Sequence, residues 1–331
     1  MTISPIPAVS VIMPVYNVER FVVQAVRSVL EQSFADFELI IVDDGGSDRS
    51  IALCEALADH RTRIIHQQNR GLAGARNTGI AAARGEFIAL LDSDDIFEPE
   101  KLARHVAHLR ANPTVGVSYA GALLIDEAGK SLGVRQRPRL GAVEARHVFC
   151  GQVICNGSIP VFRRQTLEDA ALRPAELGRV WYFDETLRRS EDVECWARIA
   201  LTTKWSFAGL PGELTLYRVN NGGLSADVIR QLASWETVYD KIKAYAPDFI
   251  ATHGREARAR ELRYLARRCF QIRDRGLASK LAIEAVRTAP GLLLREPTKT
   301  LTTLVACALL RLLPERQFAT LARATGAPVG L

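Results

Sequence analysis

Over its first 110 or so residues the chain alternates short apolar, β-branched runs with segments of helical apolar spacing, and that alternation leaves few folds open. Val9–Pro14 (VSVIMP) reads as a buried strand, Phe21–Glu31 as a helix and Phe37–Val42 (FELIIV) as a second strand. Ser47–Ala58 follows as a helix that Ser47 or Asp48 can cap, Arg63–His66 as a weak third strand and Gly74–Ala83 as a helix of small residues. Phe87–Leu91 (FIALL) is the fourth strand, and Pro99–Leu109 a helix with its proline early in the first turn. This order predicts an α/β fold with a mostly parallel central sheet and helices on both faces. Val115–Ile125 then resumes strand character, and Ser131–Gly141 reads as a basic loop. Trp181–Glu185 leads into a short helix over Glu191–Leu201 with Ser190 as its N-cap, and Trp205–Tyr217 reads as strand and turn. After Ser225 the pattern changes to long helices rich in Ala, Leu and Arg, running to about Thr288.

Two of the strands end in acidic turns, Asp43-Asp44-Gly45-Gly46 and Asp92-Ser93-Asp94-Asp95. In open α/β sheets the C-terminal strand edge is where ligands bind, so fold and candidate site point to one edge. Three carboxylates within four residues repel one another unless a cation or hydrogen-bond donors sit among them. Mg2+ and Mn2+ take one or two carboxylates and complete their shell with phosphate and water oxygens, which an Asp-x-Asp step supplies. A polar turn capping the next helix is the alternative. Asp43 and Asp44 can accept from a base N–H or a ribose hydroxyl. In Pro14-Val15-Tyr16-Asn17 the Tyr16 ring can stack on a base; ordinary strand-to-helix turns are the competing explanation. Gly71–Asn77 (GLAGARN) matches neither a P-loop nor a dinucleotide fingerprint, but Arg76 offers a fork of donors to a phosphate, or else a surface ion pair.

Four ordered motifs, V-S-V-I-M-P-V-Y-N, I-I-V-D-D-G-x-S-D, N-x-G-x-A-x-A-R-N-x-G and G-E-F-I-A-L-L-D-S-D-D, resemble the family-2 glycosyltransferases with the GT-A fold. The likeness is dense over residues 8–112 and continues to about 225 through Phe183–Glu185, Glu191-Asp192 and Tyr217-Arg218. It implies a metal-dependent, inverting transfer from a nucleotide-sugar donor, commonly a UDP-sugar, to a glycan or lipid-linked acceptor in polysaccharide or cell-envelope synthesis. It further implies that Tyr16 and Asp44 contact the base and that Arg76 lies near the diphosphate. Asp94 would bind the metal, Mg2+ or Mn2+, with Asp92 beside it near the ribose and metal. Asp192 would be the catalytic base. Pro14, Asn17, Asp43 and Ser93 fall within the donor-binding motifs, and Glu191, Tyr217 and Arg218 within the later ones. Two departures stand out: Gly46 replaces the family's usual serine, which loosens that turn slightly, and Asn220 occupies the place of a common histidine. Gly222-Gly223 then suggests a mobile loop. Neither a Gln-x-x-Arg-Trp segment nor membrane spans occur, so transfer of single sugars is expected.

The domain reading is a GT-A unit over 1–225, with a nucleotide half to about 112 and an acceptor half beyond, followed by a basic helical appendage over 226–331. The net charge is +6, yet residues 226–331 carry 18 Lys and Arg against 10 Asp and Glu, so the excess is C-terminal. With Leu262, Leu265, Ala266 and Phe270 between its arginines, the appendage can meet a membrane surface, cap the enzyme as helices or form a homodimer face. Six scattered cysteines without metal spacing fit a reducing compartment. The N-terminus has no signal-peptide pattern, and no run reaches the ~18–20 apolar residues of a membrane span. The expected location is cytoplasmic, peripheral on the inner face of the membrane. Nucleic acid is not an expected partner, because the basic residues lie away from the acidic edge and few aromatics interleave them. The competing function is a catalytically inactive nucleotide-sugar-binding scaffold. A nucleotidyltransferase would need a Gly- and Lys-rich loop after the first strand, which is absent.

Overall fold

The central strands form where the runs are mostly apolar, because such runs need cover on two faces. The computed structural model describes residues 6–313 other than 152, 177 and 221–226. In chain order the elements are β1 (Val9–Val15), α1 (Val22–Leu30), β2 (Phe37–Asp43), α2 (Ser50–Leu57), β3 (Thr62–His66), α3 (Gly71–Ala82), β4 (Phe87–Leu90), β5 (Ile96–Phe97) and α4 (Lys101–Ala111). They continue as β6 (Val115–Ile125), β7 (Ser131–Gln136), α5 (Ala145–Phe149), β8 (Val161–Arg163), α6 (Arg164–Asp169), α7 (Glu191–Thr202) and β9 (Ser206–Arg218). Five helices follow: α8 (Val228–Tyr245), α9 (Pro247–Gln271), α10 (Arg275–Thr288), α11 (Leu292–Arg295) and α12 (Pro297–Leu312).

The strands make one sheet in the order β3-β2-β1-β4-β8-β6-β9-β5, with β7 added on β6. β3, β2, β1 and β4 are parallel, so their C-terminal ends share an edge. β8 runs antiparallel to both β4 and β6 and β5 antiparallel to β9, while β6 is parallel to β9, so the sheet expected to be mostly parallel is wholly so over β3, β2, β1 and β4 and mixed beyond them. Residues alternate between the faces of β1, as the period of a strand requires. Val9, Val11, Met13 and Val15 pack with α1, α2 and α4 on one face, while Ile12 packs with α3 and α7 on the other. Each such buried side chain contributes about 1.5–3 kcal/mol. Helix α3 lies against β1 and β2 at Gly79, where a Cβ would stand 2.2 Å from Ile12 Cγ2 and 3.2 Å from Val42 Cγ2. Gly79→Ala is expected to destabilise this unit by about 1–3 kcal/mol through overpacking. A lower urea midpoint with an unchanged denaturant slope would register it.

Several local readings change. Ser131–Gln136, expected as a loop, is a strand antiparallel to β6; it alternates exposed and half-buried residues and so carries no apolar signature. α2 starts at Ser50, and Asp48 accepts from the Ser50 N–H at 2.9 Å. Pro99 precedes α4 rather than sitting in its first turn. Ser190 does stand at the start of α7, but in the left-handed region (φ 58°) and without a capping hydrogen bond from its side chain.

The chain divides into two compact units, Met1–Val148 with Gln152–Asn221, and Phe149–Gly151 with Gly222–Leu331. The expected boundary after 225 falls in 221–226, outside the described residues. In the second unit Leu262, Leu265 and Ala266 are fully buried among residues of α8, α10 and α12, so the stripe read as a surface is the core of this helical unit. Its arginines are engaged within the unit: Arg258 with Glu236 and Glu284, and Arg260 with Glu256 and Glu296. No helix among the described residues is long and apolar enough to cross a membrane.

Candidate functional site

The shared edge of the parallel strands collects the chemistry. Tyr16 and Asn17 follow β1, Asp43 ends β2 and Asp92–Asp95 follow β4. Tyr16 is half exposed and open to a planar ligand. Asn17 is left-handed (φ 51°), a conformation that costs a non-glycine residue energy, and its Oδ1 accepts from the Ser47 N–H at 2.8 Å. Gly46 is part of this packing: a Cβ there would lie 3.1 Å from both Asn17 N and Oδ1. The second glycine therefore permits a close approach rather than loosening the turn. Pro14 is buried in β1 opposite Val42 and offers no surface. Asp43 accepts from the Gly45 N–H and faces His66 Nδ1 at 2.9 Å. Asp44 is buried; Oδ1 accepts from Gln67 Nε2 and the Arg70 N–H, and Oδ2 from the Gly71 N–H. It thus holds the lead-in to α3, and a contact with a base would have to compete with these bonds.

Strand β5 pairs with β9 so that Ile96 stands opposite Leu216, which brings Arg218 and Asn220 against the acidic turn. Arg218, 2 % exposed, donates from its N–H to Asp95 Oδ1 at 2.9 Å and from Nε to the Asp94 carbonyl at 2.7 Å. It also donates to the carbonyls of Asp126 and Glu127 and to Gln24 Oε1. Tyr217 packs on the core behind the sheet. Asn220 Nδ2 donates to Asp94 Oδ2 at 2.8 Å, so the place of the family histidine is filled by a residue that touches the acidic turn; its Oδ1 is buried and has no hydrogen-bond partner among the described residues. The loop after Asn220, with Gly222-Gly223, lies outside the described residues.

A segment that sequence reasoning missed completes this side. Ser158 Oγ donates to Asp95 Oδ2 at 2.6 Å and accepts from the Asp92 N–H at 3.0 Å. The Asn156 Oδ1 acceptor, 3.0 Å from the Ser158 N–H, sets that turn. The Asn-Gly-Ser turn was visible in the sequence, but nothing local links it to residues more than 60 positions earlier. Ser93 is buried within the acidic turn.

Arg76 stands at the centre, 1 % exposed rather than on the surface. Its Nη2 lies 2.6 Å from Asp92 Oδ1, its Nη1 2.8 Å from Glu191 Oε1, and its guanidinium 5.2 Å from the Phe183 ring centroid. Asn77 braces the same region: Oδ1 accepts from the Tyr182 and Phe183 N–H groups, and Nδ2 donates to the Phe183 carbonyl. Helix α3 thereby fixes the approach to α7, whose first turn carries Glu191 and Asp192. Asp192 is partly exposed; Oδ1 accepts from the Val193 N–H at 2.8 Å.

The electrostatics follow from crowding and burial. Burial, then the Asp92 charge, pushes the Asp94 carboxyl up to about 6. Burial, with Asp94 and Asp92 adding to it, pushes Asp95 well above the carboxylate range against the Ser158 and Arg218 hydrogen bonds. Burial raises Glu191 to about 7 and raises Asp192, while Arg76 opposes both. The helix N-terminus also favours ionised Asp192. Beneath the turn, Lys101 is buried and donates to the Ile159 carbonyl and Thr215 Oγ1; desolvation lowers it to about 7.

These groups suit a hard divalent cation. Asp92 and Asp94 offer oxygens, Asn220 Oδ1 is a buried acceptor next to Asp94 with no partner among the described residues, and a cation would relieve the raised carboxyls. Among the described residues no group of three or more His, Cys, Asp or Glu could hold a metal ion. Phosphate or water oxygens would therefore have to complete the shell.

A family model described as Glycosyl transferase family 2 matches residues 10–170. The chain is 31 % identical over 297 residues to the succinoglycan biosynthesis protein ExoO of Rhizobium meliloti (strain 1021), covering 84 % of this chain and 81 % of that protein. Its fold is similar to that of an S. aureus TarS fragment crystallised with UDP-GlcNAc (TM-score 0.61, 18 % identity, 92 % of this chain and 91 % of that one). It is also similar to the mannosyltransferase PcManGT from Pyrobaculum calidifontis in complex with GDP-Man and Mn2+ (TM-score 0.57, 20 % identity, 92 % and 87 %).

Proposed function

Since the chain belongs to glycosyl transferase family 2 and is a glycosyltransferase, we propose that it moves a single sugar from a nucleoside-diphosphate sugar, a UDP-sugar, to a hydroxyl of a glycan or lipid-linked acceptor with inversion at the anomeric carbon. The observation that carries this reading is the junction at Arg76, where the turn bearing Asp92 and Asp94 meets the helix turn bearing Asp192. In this reading Tyr16, with the Asp43 and Asp44 turn, receives the base in the nucleotide half, and the acceptor enters from the half beyond residue 112. Asp94, with the free oxygen of Asp92 and Asn220 Oδ1, would hold Mg2+ or Mn2+, which when bound offsets charge on the diphosphate. Asp192 takes the proton of the attacking hydroxyl, and burial, by raising its carboxyl, makes it a stronger base than an ordinary aspartate. An inactive scaffold is not favoured, because Asn220, in the place of the family histidine, is in contact with Asp94. Nucleoside diphosphate release across a panel of nucleotide-sugars, with acceptor glycans and manganese, tests the proposal. One donor should support turnover with a product of inverted anomeric configuration; a retained configuration would refute the mechanism.

The partner reading extends to an anionic membrane surface. Leu301, Val305 and Leu312 are 51 %, 55 % and 78 % exposed, and their spacing puts them on one stripe of α12. That helix has basic residues, Lys299 and Arg311, and no acidic one. This would place the enzyme on the inner face of the membrane. The protein is expected to sediment with anionic vesicles, and the L301S/V305S/L312S variant to lose most of that binding. Equal binding by the variant would end this reading, and a variant altered only in oligomeric mass would assign the stripe to a homodimer.

A further inference from the structure

Arg76 is expected near the diphosphate, yet its guanidinium faces protein carboxylates. Both terminal nitrogens are committed to carboxylates 115 and 16 residues away, Glu191 on α7 and Asp92 after β4. The aromatic ring of Phe183 lies on one side. On another is Gly157, where a Cβ would stand 2.1 Å from Nη2 and 3.3 Å from Asp92 Oδ2. The absent side chain at 157 is therefore the space that the guanidinium fills. Arg76 Nε is buried and has no partner among the described residues, but turning either terminal nitrogen to a phosphate would take the cation away from Glu191 or Asp92, which is costly. Its neighbour Asn77 holds the Tyr182–Phe183 backbone from the same helix, so consecutive residues of α3 fix the lead-in and the first turn of α7.

We propose that Arg76 is a positioning residue: a buried strut from α3 that ties Asp92 to Glu191 and so sets the separation between the acidic turn and the Asp192 carboxylate, with Glu191 acting only through it. The proposal rests on the reading of Asp192 as the base. Glu191 then has no direct part in the chemistry; it is the anchor that α7 offers to the strut. A strut misplaced by an ångström costs turnover rather than binding, because the reacting groups must be held in near-attack geometry.

The test compares Glu191→Gln, Arg76→Lys, Arg76→Met and the Glu191→Gln/Arg76→Met double variant in the full chain. Turnover is measured alongside calorimetric binding of UDP and of uridine with manganese present. The strut predicts a fall in kcat of roughly 100-fold for Glu191→Gln and Arg76→Met. It also predicts a double variant no slower than Arg76→Met alone, since the two act as one unit. Arg76→Lys, which can pair with one anion, should recover part of kcat. The preference for UDP over uridine should stay within about threefold in every variant. Should Arg76→Met not fold, Glu191→Gln carries the test, because the change is isosteric and touches no phosphate in either account. A loss of UDP preference of about tenfold or more in the Arg76 variants, with Glu191→Gln near wild type, would return Arg76 to the diphosphate. Asp192→Asn serves as the separate check: if that variant keeps wild-type turnover, the base assignment fails whatever Arg76 does.

Discussion

Asp192→Asn is expected to reduce turnover by about 1,000-fold while leaving nucleotide affinity almost unchanged. The asparagine keeps the size of the side chain and can still accept from the Val193 N–H through its carbonyl oxygen, so the start of α7 should not move. What disappears is the proton acceptor. An amide cannot take the hydroxyl proton as the oxygen attacks, and the attacking group then has only water to deprotonate it. The effect should lie in kcat, since Asp192 stands on the α7 side of the Arg76 junction and not in the acidic turn assigned to the donor. Measuring kcat and donor KM separately checks this, and a variant that loses affinity in proportion to rate would place Asp192 among the donor ligands instead.

Asp94→Ala is expected to lower turnover by roughly 100- to 1,000-fold and to abolish the gain in nucleotide affinity that manganese gives the native protein. The fold should survive. The braces of the turn are made by Asp95, Ser158 and the Arg218 backbone, and the Arg218 Nε bond goes to the carbonyl of residue 94, which alanine retains. Removing the carboxylate also strips Asn220 Nδ2 of its acceptor, so the second oxygen ligand proposed for the cation is no longer oriented. Calorimetry of UDP with and without manganese would separate this effect from unfolding.

The fold was legible where burial dictates composition. β1, β2 and β4 are inaccessible at nearly every position, and apolar side chains fill most of them, with buried Ser10 and Glu38 bonded to each other, so their runs read directly. β7 was not legible because an edge strand with no buried face places no demand on its residues. The Leu262, Leu265 and Ala266 stripe was seen, but a stripe flanked by arginines looks the same whether it faces lipid or α10 and α12, and Glu284 and Glu296, which pair with Arg258 and Arg260, lie far along the chain. Among the candidate residues, the motifs singled out Asp92, Asp94, Asp192 and Arg76, and the fold brings Arg76 against Asp92 and Glu191. They did not show that Arg76 would be consumed by Glu191, because a pairing across 115 residues leaves no local trace. Ser158 escaped for the same reason: its partners lie 66 and 63 positions back, and its importance comes from the turn it holds rather than from its own chemistry.

The central claim is that the acidic turn and Asp192 form one site, with a cation between the turn and a diphosphate. A crystal structure grown with manganese and UDP, with anomalous data collected at the manganese edge, tests it most directly. The account requires one anomalous peak within coordination distance of the Asp94 carboxylate, the diphosphate on that ion, and Asp192 facing the space left for the sugar. A manganese peak away from Asp94, or a diphosphate bound with Asp192 turned out of the cleft, would contradict it.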